Sequence, residues 1–138
     1  MDDFRQMINY DELTSDGTIT LACIAAEAIR GLNRATGCDA GLGQPADAYD
    51  ILGNLSAAAA RLGQAFTQIT RYLTRAAGAG HLGHDLGGDP AACVDAAAVF
   101  LEDAAASAAA LAGDIDAAQQ QLALVNGRPA QPGRKDTP

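Results

Sequence analysis

Residues 47–77 read DAYDILGNLSAAAARLGQAFTQITRYLTRAA, without a proline and with an apolar residue at every third or fourth place. Ala48, Leu52, Leu55, Ala59, Leu62, Phe66, Ile69, Leu73 and Ala76 stand 4, 3, 4, 3, 4, 3, 4 and 3 residues apart. A helix turns once in 3.6 residues, so this alternation lays all of them on one stripe, as in a coiled-coil seam. Gly53 and Gly63 interrupt it. Each costs about 1 kcal/mol against alanine, unless it lets a second helix come close.

The same pattern returns further on. Val94, Ala97, Leu101, Ala104, Ala108, Leu111, Ile115, Ala118, Leu122 and Val125 step by 3 and 4 in alternation. Asp89 is a natural N-cap and Pro90 fits the first helical position, so this helix is predicted over 90–125. Asn126-Gly127 supplies the stop, with Pro129 just beyond. Between the two seams lies a glycine-rich break, 78–89.

Two seams joined by one short loop predict an antiparallel hairpin whose facing residues have numbers adding to about 170. Leu73 then meets Ala97, Ile69 meets Leu101, Phe66 meets Ala104, Leu62 meets Ala108 and Leu55 meets Ile115. Large side chains on one helix face small ones on the other, which fills the gap between them. Arg71 and Arg75 come near Asp95, Glu102 and Asp103. As exposed pairs these contribute about 0–1 kcal/mol each and favour a register more than they stabilise the fold.

Upstream, TITLACIAAEAIRGLNRATG (18–37) predicts a shorter helix, with Thr18 as N-cap and Gly37 as stop. Leu21, Ile24, Ala25, Ala28, Ile29 and Leu32 share its apolar face. On the second helix Ile51, Ala58, Ala65 and Tyr72 form a row beside the seam that this face could cover. The expected fold is therefore all-α, a three-helix bundle built on a long antiparallel hairpin with Ala-rich, coiled-coil-like contacts. Residues 17–126 form the bundle domain, 1–16 a flexible or short-helical leader and 127–138 a disordered tail. The first helix is about 28 Å long against about 46 and 54 Å for the other two. It cannot cover the whole hairpin, so apolar surface is left over for a partner, with Ile24, Ile29, Leu32, Ile51 and Tyr72 as its candidate contact residues.

Composition narrows the classes of function. The net charge is −8 and the pI about 4.4. Such a surface repels phosphate backbones, so the folded body is not expected to bind nucleic acid. Hydrophobic residues make up 49%, but three Phe, three Tyr and no Trp leave the core to alanine and a few Leu, Ile and Val. Lys135 is the only lysine; with so much Ala, Gly and Asp, the composition suggests a GC-rich bacterial, even actinobacterial, genome. Cys23, Cys38 and Cys93 are odd in number and widely spaced, which argues for free thiols in a reducing cytoplasm rather than a disulfide framework. The N-terminus lacks the apolar run of a signal peptide. Asp95, Glu102 and Asp103 interrupt the alanine-rich 91–112, and no membrane span or membrane partner is expected.

One segment looks like chemistry: GHLGHDLGGDPAAC, 80–93. His81, His84 and Cys93, with Cys38 brought in from elsewhere, offer zinc-type donors. The spacing matches no tight zinc pattern, and glycine-rich surroundings offer little support to ligands. A phosphate loop would need a lysine where this segment has none. No nucleophile–base arrangement is visible, and no enzyme is expected.

Two long antiparallel helices resemble the small secreted hairpins of the WXG100 type in architecture alone. The Trp-x-Gly turn of that family is missing, and Tyr10, Tyr49 and Tyr72 are followed four residues later by Thr14, Gly53 and Ala76 rather than by an acid. The sequence therefore predicts a non-enzymatic helical interaction or scaffold protein. Its expected partner is a second copy of itself or another helical protein. The alternatives are a small metal- or ligand-responsive protein using 80–93, and a secreted helical-hairpin effector.

Overall fold

The computed structural model describes residue 8 and residues 13–128; the tail expected beyond Arg128, and most of the expected leader, lie outside the described residues. Every regular element among the described residues is helical: α1 (Ser15–Thr36), α2 (Pro45–Gly78) and α3 (Pro90–Leu122), with one 3₁₀ turn at Asp39–Gly41. Two compact units divide at Gly43 and Gln44.

In the first unit α1 starts three residues before the predicted Thr18. Thr14 is the N-cap, its Oγ1 accepting from the Gly17 amide at 3.0 Å. Thr18 sits inside the first turn, and its hydroxyl donates back to the Thr14 carbonyl at 2.9 Å. Thr14 wins because Ser15, Asp16 and Gly17 then supply a complete first turn with an acid near the helix's positive end. Gly37 closes the helix as expected. No residue of α1 is buried.

The second unit is the antiparallel hairpin of α2 and α3, 34 and 33 residues long. Gln44 and Asp47 form a reciprocal capping box at the start of α2, with Pro45 as its first residue. Asp89 caps α3 by accepting from the Ala91 amide at 3.0 Å, and Pro90 follows as expected. Gly80 and Gly87, at φ 71° and 75°, turn the chain between the two helices.

The register is the predicted one. Ser56 reaches the Ala112 carbonyl, Gly63 faces Ala105 and Gln119 reaches the Tyr49 carbonyl, all within two of the expected sum of about 170. The rotation of the helices about their own axes is not. Both keep one predicted column, Leu52, Ala59, Phe66 and Leu73 on α2 and Val94, Leu101, Ala108, Ile115 and Leu122 on α3. The second column moves by one residue. On α2 Ser56, Gly63, Thr70 and Ala77 are covered, whereas Leu62 and Ile69 are exposed and Leu55 and Ala76 half-buried. On α3 Ala98, Ala105, Ala112 and Gln119 are covered, whereas Leu111 and Ala118 are exposed and Ala97 and Ala104 half-buried.

Size explains the shift. A Cβ on Gly63 would lie 3.5 Å from the Ala105 carbonyl oxygen, ordinary contact with backbone, so here the helices nearly touch. Such an approach admits Gly, Ala and Ser between the helices and pushes Leu62, Ile69 and Leu111 out to the flanks. The most buried residues are accordingly small: Ser56, Ala59, Val94, Ala108 and Ala112.

Two polar contacts hold the open end. The Ser56 hydroxyl has a single proton and faces both the Ala112 carbonyl, at 3.1 Å, and the Asp116 carboxylate. Gln119 crosses Gly53, where a Cβ would stand 2.6 Å from its Nε2, and donates to the Tyr49 carbonyl at 3.0 Å. By contrast, Arg71 and Arg75 form no ion pair with Asp95, Glu102 or Asp103, whereas Arg30 pairs with Glu27, one turn away on α1. Long exposed side chains gain too little from pairing to be fixed in place.

α3 stops at Leu122, three residues short of the prediction. Leu122 stands level with the first turn of α2, so a longer helix would have no partner, and Leu124 is almost wholly in solvent.

The rotated seam has a direct test. Ala112→Leu forces a large side chain between the helices and should lower stability by about 1–3 kcal/mol. Ala109→Leu, on an exposed position three residues away, should change it by less than about 0.5 kcal/mol. Urea unfolding followed by circular dichroism checks both; equal effects would mean that the helices are turned as the sequence pattern suggests.

Candidate interaction surface

The residues expected to carry chemistry fall in the loop after α2 and the first turn of α3. His84 folds that loop about itself. Its Nδ1 accepts from the amides of Leu86, at 3.2 Å, and Gly88, at 3.1 Å, and its ring lies against Gly88. Nε2 is the one ring nitrogen left for another ligand. The backbone amide of His81 completes the end of α2 by donating to the Ala76 carbonyl at 3.0 Å. Cys93 is an exposed free thiol in α3, as Cys38 is after α1 and Cys23 within it. Cys38 spends its S–H on the Arg34 carbonyl. Among the described residues no three His, Cys, Asp or Glu side chains are grouped so as to hold a metal ion.

The five predicted contact residues separate between the two units. On α1, Ile24 and Ile29 are exposed and Leu32 is half-buried. On α2, Tyr72 is exposed and Ile51 half-buried. The hairpin carries more than these two, as its two sides make plain.

In an antiparallel pair, matching flanks of the two helices lie on the same side. One side is polar. Thr67, Thr70 and Arg71 of α2 line a shallow depression with Leu101 and Glu102 of α3, and Asp95 and Asp116 continue that flank of α3 by helical repeat. The opposite side then holds the other flanks. On α2 these are two columns from Ala48 to Ala76 containing Ile51, Leu55, Leu62, Ile69 and Tyr72, with alanine in every other place and no charge over about 42 Å of helix. On α3 they contain Ala97, Phe100, Ala104, Leu111 and Ala118, with Asp114 as the one charge.

This side is open to water. Leu62 is 46% exposed, Ile69 48%, Tyr72 61%, Phe100 73% and Leu111 51%. Single exposed apolar residues are ordinary on a protein surface, but a contiguous strip along a hairpin with one charge in it is not. Burying one such side chain is worth about 1.5–3 kcal/mol, so covering the strip is strongly favoured. The sequence pattern assigns Leu62, Ile69 and Leu111 to the seam, and Phe100 falls in neither of its columns. Gly53 and Gly63 were the available signal: glycines inside a helix point to close approach, which drives bulk outward.

Against expectation, α3 is long and apolar enough, by length and composition, to cross a membrane. Alanine supplies most of that apolarity. Glu102 and Asp103 stand near the helix middle, where insertion experiments put an acid such as aspartate at about 2.5–3.5 kcal/mol.

Comparison of the chain with protein-family models, with curated proteins and with solved structures finds no match.

The loop makes its own prediction. His84→Ala removes the acceptor of two amides at an exposed turn. Hydrogen exchange at Leu86 and Gly88 should quicken several-fold, while the unfolding midpoint of the hairpin stays within about 0.5 kcal/mol of the original. Unchanged exchange at both amides would show that the ring does not organise the turn.

Proposed function

We propose that the chain is a non-enzymatic helical interaction module that works by burying the apolar side of the α2–α3 hairpin against another helical surface. The observation that carries this reading is the apolar strip beside the seam, with Leu62, Ile69, Tyr72, Phe100 and Leu111 exposed and Ile51 and Leu55 half-buried among them. The opposite side, with Arg71, Glu102, Asp95 and Asp116, stays in water. Binding is then a matter of area and shape, with the polar side keeping the assembly soluble and facing one way. The three exposed free thiols fit work in a reducing compartment, where they would not cross-link neighbouring molecules.

A photo-cross-linking side chain distinguishes the two sides in the living host. Placed at Leu62 it should give a discrete protein adduct; placed at Thr67, close by on the polar side, it should give none. Equal labelling at the two positions, or no adduct at either, would overturn the assignment.

A further inference from the structure

We infer that the partner on this strip is a second copy of the same hairpin, laid face to face after a half-turn about an axis parallel to the helices, so that α2 of each copy covers α3 of the other. The inference rests on the interaction reading above and adds the identity and geometry of the partner.

Area is the first argument. The hairpin is about 50 Å long, and two helices side by side are about 18–20 Å wide, so one side offers close to 900 Å². A specific, stable complex needs about 800 Å² from each partner. The strip is of the right size to close a complete dimer and would be underused by a single short helix.

Shape is the second. The two helices contribute unlike halves to the strip. α2 presents a ridge of Leu55, Leu62, Ile69 and Tyr72, whereas α3 presents mostly small residues, Ala97, Ala104, Ala118 and Ser107, with Phe100 and Leu111 among them and Asp114 and Gln121 towards its C-terminal end. A face with a ridge along one edge and a trough along the other complements itself under the half-turn described, because the ridge of each copy enters the trough of the other. The other isologous arrangement, with the axis across the helices, would set ridge on ridge and leave trough over trough. In the chosen arrangement every helix is antiparallel to both of its neighbours, and the product is a closed four-helix bundle without a further apolar face.

Charge is the third. Asp47, Asp50, Arg61, Arg71 and Arg75 of α2 all fall outside the two columns of the strip, as do Asp95, Glu102, Asp103 and Asp116 of α3. Asp114 follows Phe100 in the outer column and is the one charge on this side. Every other charge of the hairpin lies off the face, so an acidic chain of net charge −8 associates through the side where its own charges oppose it least.

Light scattering after size exclusion on the purified full chain should give twice the 14.0 kDa chain mass at micromolar concentration. Leu62→Glu/Ile69→Glu should return the single-chain mass with the helical circular dichroism signal kept, while Thr67→Glu should leave the doubled mass unchanged. Should the double variant unfold, Phe100→Arg, at the most exposed side chain of the strip, carries the same expectation without touching the seam. A spin label on Leu86→Cys, with the three native cysteines replaced, then reads the arrangement. The loops of the two copies should lie at the same end, under about 30 Å apart, against about 50 Å for the crossed alternative. A single-chain mass for the unmodified protein overturns the inference. So does a doubled mass that survives the strip variants, or a label distance near one helix length. If the purified chain is a monomer while the cross-linker at Leu62 yields an adduct with a different protein, self-pairing fails and the interaction reading stands. If both experiments are empty, both fall.

Discussion

The approach of α2 to α3 at Gly63 and Ala105 governs the rest of this molecule. Where the backbones nearly touch, at Gly63 and Ala105, there is no room between the helices for leucine. Only Gly, Ala, Ser and a few larger residues at the edges of the seam fit, and the dispersion gained by close contact replaces the area that larger side chains would bury. Every bulky residue that a wider interface would have absorbed must then go elsewhere. Leu62, Ile69 and Leu111 go to the flank, and the exposed strip follows from the tightness of the seam.

The same constraint explains why polar residues appear where a seam would ordinarily be apolar. A wide apolar interface penalises a misregistered pairing by displacing large side chains. An alanine seam imposes little such penalty, since one alanine is much like the next. Ser56 against Ala112 and Asp116, and Gln119 against Tyr49, supply the missing discrimination, because a shift of one turn would leave buried or half-buried polar atoms without partners. The short loop closed by His84 sets the level of the helices from the other end. Register is thus held at both ends of the hairpin, and the middle is left to close contact.

These causes account for what could be read from the sequence. Helix existence, the Asp89-Pro90 start, the glycine-rich break and the level at which residues face each other were all legible, because each has a local chemical signal. The rotation of the helices was not. Runs such as Ala57–Ala60 and Ala104–Ala106 look the same one column over, so a 3–4 pattern drawn through the largest residues fits as well as one drawn through the smallest. Preferring large residues in the core is the usual rule, and here it points to the wrong column. The start of α1 slipped for a related reason: Thr14 and Thr18 are both acceptable caps, and the intervening Ser15, Asp16 and Gly17 decide between them. The candidate surface was half legible. Ile51 and Tyr72 were found as a row beside the seam, and Leu62, Ile69, Phe100 and Leu111 became part of it only once the helices were turned.

A seam of this kind also bears on how the hairpin stays folded. Its most buried residues are a serine, a valine and three alanines. Alanine brings little apolar area into the interior. Seven large apolar side chains of the hairpin, Ile51, Leu55, Leu62, Ile69, Tyr72, Phe100 and Leu111, lie on the strip, so a substantial share of the hydrophobic free energy encoded in α2 and α3 is realised only when the strip is covered. Folding and association then draw on one set of residues and are thermodynamically linked, with the stability of the helices depending on the concentration of whatever covers them. On this account the tight seam and the open strip have complementary parts. The seam, through Leu52, Phe66, Leu73, Leu101, Ile115 and the small residues among them, holds the hairpin together and sets which residues face outward and at what level. The strip adds further stabilisation, conditional on a partner that matches the geometry the seam has set.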